Sequence, residues 1–441
     1  MKYLSVIIGL LLLVSCNRKN YITWDDINRI DQRGEIIPFI AKFDSTAIKI
    51  INSKLRRSVI DFGADRSGKL SSVSAFRKAR DYAVRFREPI YIPNGVYNLD
   101  DSIQIPGGVN IYGEDKDHTI VYNNSLTPNR ATFTITNGKK IAFSNEISNI
   151  FFITGVNTID HIALEIIDAS FFNIHDCKIL GNSYFTGTGI KVCGREGGTF
   201  KNLLIYADKP IVISNNPNSN IDADHFNFNN LYLGASNKPV VTIEEDVFLL
   251  NMTFDGYQAW VGGSYGLYWN DTKSQSASTN LKLDNVRWEQ EQDKNGYFIY
   301  INHNYALQNL ILNNIYGGLN ANGFYFNKVS NVSINESQYV GRENKIGIQS
   351  GGHPGYSIIV RNSNIQGKLE LSNYRLNSKN NNSNYEYSFK DDRPYLNYSV
   401  LSLSESNLSA APINSLFLDA LDGKLKYKDA KGNVFIVVLQ K

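Results

Sequence analysis

Two carboxylates and a guanidinium stand out by type and spacing. When the segments that begin with asparagine are laid over one another, Asp255 and Glu289 fall in one column. Arg287 sits two residues before Glu289, and Glu291 two residues after it. Carboxylates stacked on strands about 4.8 Å apart oppose each other's ionisation, so one keeps a proton and acts as an acid. Such a pair is the equipment of glycosidic cleavage, retaining at a separation of about 5 Å and inverting at about 6.5–9.5 Å. A lyase would use Arg287 as its base, with calcium on Asp255 and Glu289 to neutralise a uronate. The same residues also fit a solvated turn in which Arg287 balances two surface acids.

Aromatic residues crowd the same window. Tyr257, Trp260, Trp269 and Tyr297 are candidate platforms for sugar rings, whereas Trp288 alternates into the core. Six scattered histidines show no metal-ligand spacing, so no resident metal is expected apart from a lyase's calcium. Cys177 and Cys193 read either as a disulfide or as two buried apolar residues.

A repeat must position these side chains. Asparagine followed by alternating apolar residues recurs at Asn149, Asn173, Asn202, Asn230, Asn251, Asn285, Asn309 and Asn331, with spacings of 24, 29, 28, 21, 34, 24 and 22. A second short apolar run after glycine or proline follows most copies, as at Gly266–Trp269 and Gly323–Phe326. Periods of this size without intervening helices describe the coils of a β-solenoid, with the asparagines as a ladder at a turn. The second and fourth positions of each copy (Met252 and Phe254, Val286 and Trp288, Leu310 and Leu312) face inward. The third and fifth face outward, giving one column of Tyr232, Thr253, Arg287, Ile311 and Ser333. The other holds Gly234, Asp255, Glu289, Asn313 and Asn335.

Upstream, Val59–Phe62 is an apolar run stopped by Gly63, as a strand would be, and Ser71–Phe86 places Val73, Phe76, Ala79, Ala83 and Phe86 on one helical face. Short strands follow at Ile90–Ile92, Ile103–Ile105 and Val109–Tyr112. The segments Asp61-Phe62-Gly63-Ala64 and Ile92-Pro93-Asn94-Gly95-Val96-Tyr97, with the helix between them, resemble the opening of the pectate lyase superfamily, in particular its rhamnogalacturonase- and epimerase-like members. Ser71-Ser72-Val73 departs from the Asp-Asp-Thr usual there. The resemblance implies an all-β, right-handed parallel β-helix with an N-terminal capping helix, acting mostly on polysaccharides.

Residues 1–15 form a targeting segment with Lys2, an apolar run from Leu4 to Val14, and Cys16 just beyond. The pattern resembles a bacterial lipoprotein signal, in which Cys16 carries the lipid, and implies a lipid-anchored envelope protein at the outer membrane, with neither face marked. A lead-in over 16–58, a β-helix over 59–372, a polar link over 373–410 and a C-terminal β-meander over 411–441 complete the expected organisation. A net charge of +3 supplies no basic field for nucleic acid. Three readings follow: an enzyme that cleaves or modifies a complex or acidic polysaccharide, a non-catalytic glycan-binding or envelope protein, and a tailspike-like homotrimer suggested by the tail. The first two leave the chain a monomer or a trimer.

Overall fold

In the computed structural model the structure describes residues 57–436 apart from 137–143, 155–159, 182–185, 194–195, 216–222, 236–237, 262–264, 291–295, 319–321, 348–356, 362, 372–374, 380–384, 390–404, 407–414, 420–424 and 430. The expected signal segment, Cys16 and the lead-in as far as Arg56 therefore lie outside the described residues, as does Glu291.

Twenty-nine strands join one sheet in which each pairs in parallel with the strand one coil before and one coil after. This is the right-handed parallel β-helix that the resemblance implies, built of the coils that the repeat describes. Alternation explains the pairing: one set of side chains fills the tube and the other faces out, so a slip of one residue would turn the core to solvent. Met252, Phe254, Val286, Trp288, Leu310 and Leu312 are all buried. The inward column containing Phe254 is an aromatic stack, with Phe200 on Phe228 at 4.5 Å and Phe228 on Phe254 at 4.4 Å between ring centroids. Leu312→Ala should cost about 2–5 kcal/mol as a cavity mutation. Its outward neighbour Ile311, in register with Lys282 and Ser333, should cost far less when changed to alanine. Denaturant midpoints of the two variants check this, and equal shifts would mean that the inward assignment is wrong.

The helix, α1 (Val73–Phe86), closes the first coil. Its Phe76 ring meets Tyr97 at 5.8 Å and Phe133 at 6.2 Å. Two details differ from the sequence expectation. Ala75 is buried in place of Phe86, which is 49% exposed and lies against Tyr82 near the helix end. Val59–Phe62 is a 3-10 turn rather than a strand. There the Ser58 N–H donates to Asp61 Oδ2 at 2.7 Å, and Gly63 leaves the turn at φ 93°, a conformation open to glycine.

The solenoid also runs further than expected. Arg375–Lys379 and Tyr385–Phe389 pair in parallel with Ser357–Arg361 and Asn364–Leu371, so the first part of the supposed polar link is more coil. The asparagine- and serine-rich run from Asn377 to Asn384 disguises these strands in the sequence. The tail forms the expected meander, with Ser415–Asp419, Leu425–Lys428 and Val434–Ile436 antiparallel. Cys177 and Cys193 are free and buried.

Candidate functional site

The asparagines that the sequence groups into one ladder belong to two corners. From Phe171 to Glu336 each described coil turns two corners through a residue in the left-handed region, where an asparagine amide compensates an unfavourable backbone. At one corner stand Asn149, Asp176, Asn202, Asn230, Gly256, Asn285 and Asn314, with φ between 49° and 67°. At the other stand Phe171, Gly197, His225, Asn251, Asn280, Asn309 and Asn331, with φ between 53° and 64°. Side-chain amides link successive coils along each corner: Asn230 Nδ2 donates to Asn202 Oδ1 at 2.8 Å, Asn314 to Asn285 at 2.8 Å, Asn280 to Asn251 at 2.6 Å and Asn309 to Asn280 at 2.9 Å. The odd spacings of 21 and 34 in the sequence are jumps between these corners.

That result overturns the proposed carboxylate pair. The register partner of Asp255 is Asp284, and that of Glu289 is Trp260. Asp255 ends one face of the solenoid, while Glu289 lies past the Gly256–Asn285 corner on the next. The true register columns are Asn229, Asp255, Asp284, Asn313 and Asn335 on the first face, and Gly234, Trp260, Glu289 and Gly318 on the second. Tyr232, Gln258, Arg287 and Tyr316 make a further column on that second face. A calcium ion shared by Asp255 and Glu289 therefore does not fit. Arg287 and Glu289 do meet, as an exposed ion pair, with the guanidinium carbon 5.7 Å from the centroid of Tyr316.

Among the proposed sugar platforms, two belong to the core. Tyr257 is 1% exposed and its hydroxyl donates to the Gly266 carbonyl at 2.9 Å. Trp269 is fully buried, its ring 4.9 Å from that of His303. Neither presents a ring face to a ligand. Tyr297 is half-buried on a third face of the solenoid. The backbone of Trp260 pairs with Gly234 and Glu289; its side chain lies outside the described residues.

What the corner does build is an open groove of about 580 Å³. It follows the first ladder across the coils of Asp176, Asn202, Asn230, Gly256 and Asn285, and is walled by Tyr232, Gln258 and Arg287. At a spacing of about 4.8 Å per coil this stretch spans roughly 19 Å. Gly256 leaves a notch midway, where the ladder lacks a side chain. Asp255 bridges the gap from beside it, accepting from Asn285 Nδ2 at 2.8 Å and from Asn229 Nδ2 at 3.4 Å.

Lys116 and Asp176 close the far end. Here lies a row of titratable groups that the sequence reading missed, because its members are one coil apart. Tyr112 donates its hydroxyl hydrogen to Glu146 at 2.9 Å. Glu146 and Asp176 then flank the His175 ring at 2.9 Å and 2.8 Å. Partial burial opposes the imidazolium, but the bonds to Asp176 and Glu146 outweigh it and raise the His175 pKa. Asp176 is partly buried too, yet the bonds from His175 and Asn202 lower its pKa, so it stays ionised across the neutral range. A raised histidine pKa contributes stability below the unfolded value of about 6.5 and loses it as pH climbs through the folded value. The gap in melting temperature between the native protein and His175→Gln should therefore shrink as pH rises above about 6.5 and through the raised folded value. A gap that is constant or widens would remove the charged-histidine assignment.

No protein-family model and no curated protein sequence matches the chain. Solved structures do. A surface adhesin of Streptococcus pneumoniae, PfbA, superposes with a TM-score of 0.54 at 13% identity, over 87% of this chain and 98% of that one. A second structure of the same adhesin gives 0.52 at 11% identity, over 76% and 99%. At such identities the likeness is one of fold: the chain is a β-helix of the kind this bacterial surface protein also has.

Proposed function

We propose that this protein binds a polysaccharide carrying acidic sugars, held lengthwise in the corner groove. The observation behind this reading is the lining of the groove. It offers amides from Asn202, Asn230, Gln258 and Asn285, a half-buried aromatic ring at Tyr232, and a cation at each end in Lys116 and Arg287. Amides pair with sugar hydroxyls, an aromatic ring packs on a sugar face, and the cations suit carboxylates. The structural likeness to an adhesin is compatible with a binding role and supplies the scaffold only.

Cleavage is the second reading, and one observation favours it. Asp255 and Asp284 are register partners on successive coils beside the groove, the arrangement first sought in Asp255 and Glu289. Binding ranks above it because both carboxylates are engaged: Asp255 by Asn285 and Asn229, Asp284 by Lys282 at 2.6 Å. One experiment separates the two. The purified full chain is run through gels containing polygalacturonate, alginate or neutral glucans, and the same mixtures are read for new reducing ends and for ultraviolet absorbance of unsaturated products. Retardation by an acidic polymer that Arg287→Ala with Tyr232→Ala weakens at least tenfold supports binding. Product that accumulates and disappears with Asp255→Asn or Asp284→Asn replaces the binding reading with the enzymatic one. Absence of both retardation and product removes the groove assignment.

We also propose, from the first sixteen residues, attachment to a bacterial envelope membrane through lipid on Cys16, at the outer membrane. Membership of the pectate lyase superfamily is likewise a proposal, resting on Asp61–Ala64, α1 and Ile92–Tyr97. No helix among the described residues is long and apolar enough to cross a membrane. Cys16→Ala should move the protein into the soluble fraction, because its thiol would carry the anchor. A variant that stays with the membrane defeats this.

A further inference from the structure

A second surface lies on the third face of the solenoid, away from the groove. Tyr268, Tyr300 and Tyr325 occupy one outward column on successive coils. Their rings stack at 5.1 Å and 17°, then at 4.5 Å and 11°. Stacking along the solenoid axis turns ring edges and hydroxyls outward. Tyr265 and Tyr297 flank the stack and are rotated away from it, at 71° to Tyr300 and 62° to Tyr325 respectively. All five rings are half-buried, so each keeps part of its surface in solvent. Two residues further along each strand runs a third amide ladder, Asn302 Nδ2 to Asn270 Oδ1 at 2.7 Å and Asn327 Nδ2 to Asn302 Oδ1 at 2.7 Å. The ladder bond takes one of the two N–H groups of the Asn302 amide.

We propose that this face is a second carbohydrate-binding surface, taking a neutral glycan chain laid along the solenoid axis over the tyrosines, with the adjacent amides bonded to its hydroxyls. Three features select the ligand class. From Tyr268 to Tyr325 and from Asn270 to Asn327 the rows carry no charge, and the next register position beyond Tyr325 is Lys345. Carboxylates sit at one end: Glu244 precedes Asn270 in the amide column, and Glu245, paired with Lys273, lies close enough to act on the Tyr268 phenol. Within these coils an acidic polymer finds no cation in the rows, in contrast to Lys116 and Arg287 of the groove. The rows also repeat at the coil spacing, which presents matched donors and ring edges to a polymer rather than to a compact solute. Burial and the neighbouring phenols push Tyr300 up to about 12, which keeps its hydroxyl a donor over the whole physiological range.

The test uses the full chain carrying Tyr232→Ala and Arg287→Ala, so that loss of groove binding is already accounted for. In that background a soluble β-1,3-glucan and a galactomannan are titrated and followed by gel retardation and by the tyrosine ultraviolet difference spectrum. At least one is expected to retard the protein and perturb the spectrum. Adding Tyr300→Ala should weaken retardation at least tenfold, and Tyr300→Phe, which keeps the stack, should weaken it less. Asn302→Asp is the check if Tyr300→Ala does not fold, since a carboxylate in the amide row should reduce retardation without emptying the stack. Neutral glycans that neither retard nor perturb the parent, or that bind all these variants equally, overturn the proposal. Retardation by polygalacturonate alone would also overturn it.

Discussion

Gly256→Asn is expected to weaken polysaccharide binding about tenfold or more, roughly 1.4 kcal/mol, while leaving the fold intact. The position is permissive. Gly256 has φ 67°, in the left-handed region that asparagine adopts at positions 149, 202, 230, 285 and 314 of the same corner. A Cβ there would find only the backbone of Asn230, at 3.5 Å and beyond. The new amide would continue the ladder between Asn230 and Asn285, so the melting temperature should hold or rise. It would also fill the notch in the middle of the groove. Restored stability with lost binding is the signature of a gap kept for a ligand. If the variant binds as the parent does, the notch is only a missing rung and the groove reading loses its centre.

Gly113→Ala should be the most damaging of the substitutions considered, at roughly 3–5 kcal/mol. Gly113 follows Tyr112, whose register partner is Ser148, which sets it beneath the Asn149 corner. A Cβ at Gly113 would lie 1.9 Å from the Asn149 carbonyl oxygen. The obstacle is backbone, held in place by the coils on either side, so no rotamer change relieves it. Gly63→Ala is the control. It meets nothing within 4 Å, although φ is 93°, and should lose only the left-handed preference, about 1–2 kcal/mol. Midpoints of chemical denaturation for both variants check the contrast. Similar losses would show that backbone conformation, not the clash, sets the cost at Gly113.

The fold was legible because burial imposes a period of two on each strand and a coil imposes its own length. Leu310 and Leu312, or Met252 and Phe254, can be assigned inward from alternation alone. Coil register was not legible, and for a definite reason. Both corners demand a left-handed residue and both are filled with asparagine, so two unrelated ladders look like one in the text. Aligning Asn251 with Asn285 crossed from one corner to the other and carried Asp255 onto Glu289. The step that the chain uses, Asn251 to Asn280, was hidden because Leu281-Lys282-Leu283 lies behind a polar run. Trp269 was recoverable: it alternates with Leu267 and so faces inward beside it. Tyr257 was not, since the corner at Gly256 resets the alternation. The His175 row escaped because Glu146 and His175 are distant in sequence and adjacent only when coils stack.

The closed first coil has a meaning beyond stability. A parallel solenoid ends in strands whose hydrogen-bonding edges match those of any other copy, which makes each terminus a seed for end-to-end growth. Here the segment before the first coil already lies on part of that edge. Ser58 bridges Tyr91, and Ser67–Ser71 pairs with Gly95–Leu99, while α1 covers the apolar opening between them. Residues 58–86 thus stand between the apolar opening and any copy that would add to it, whatever ligand the outer faces carry.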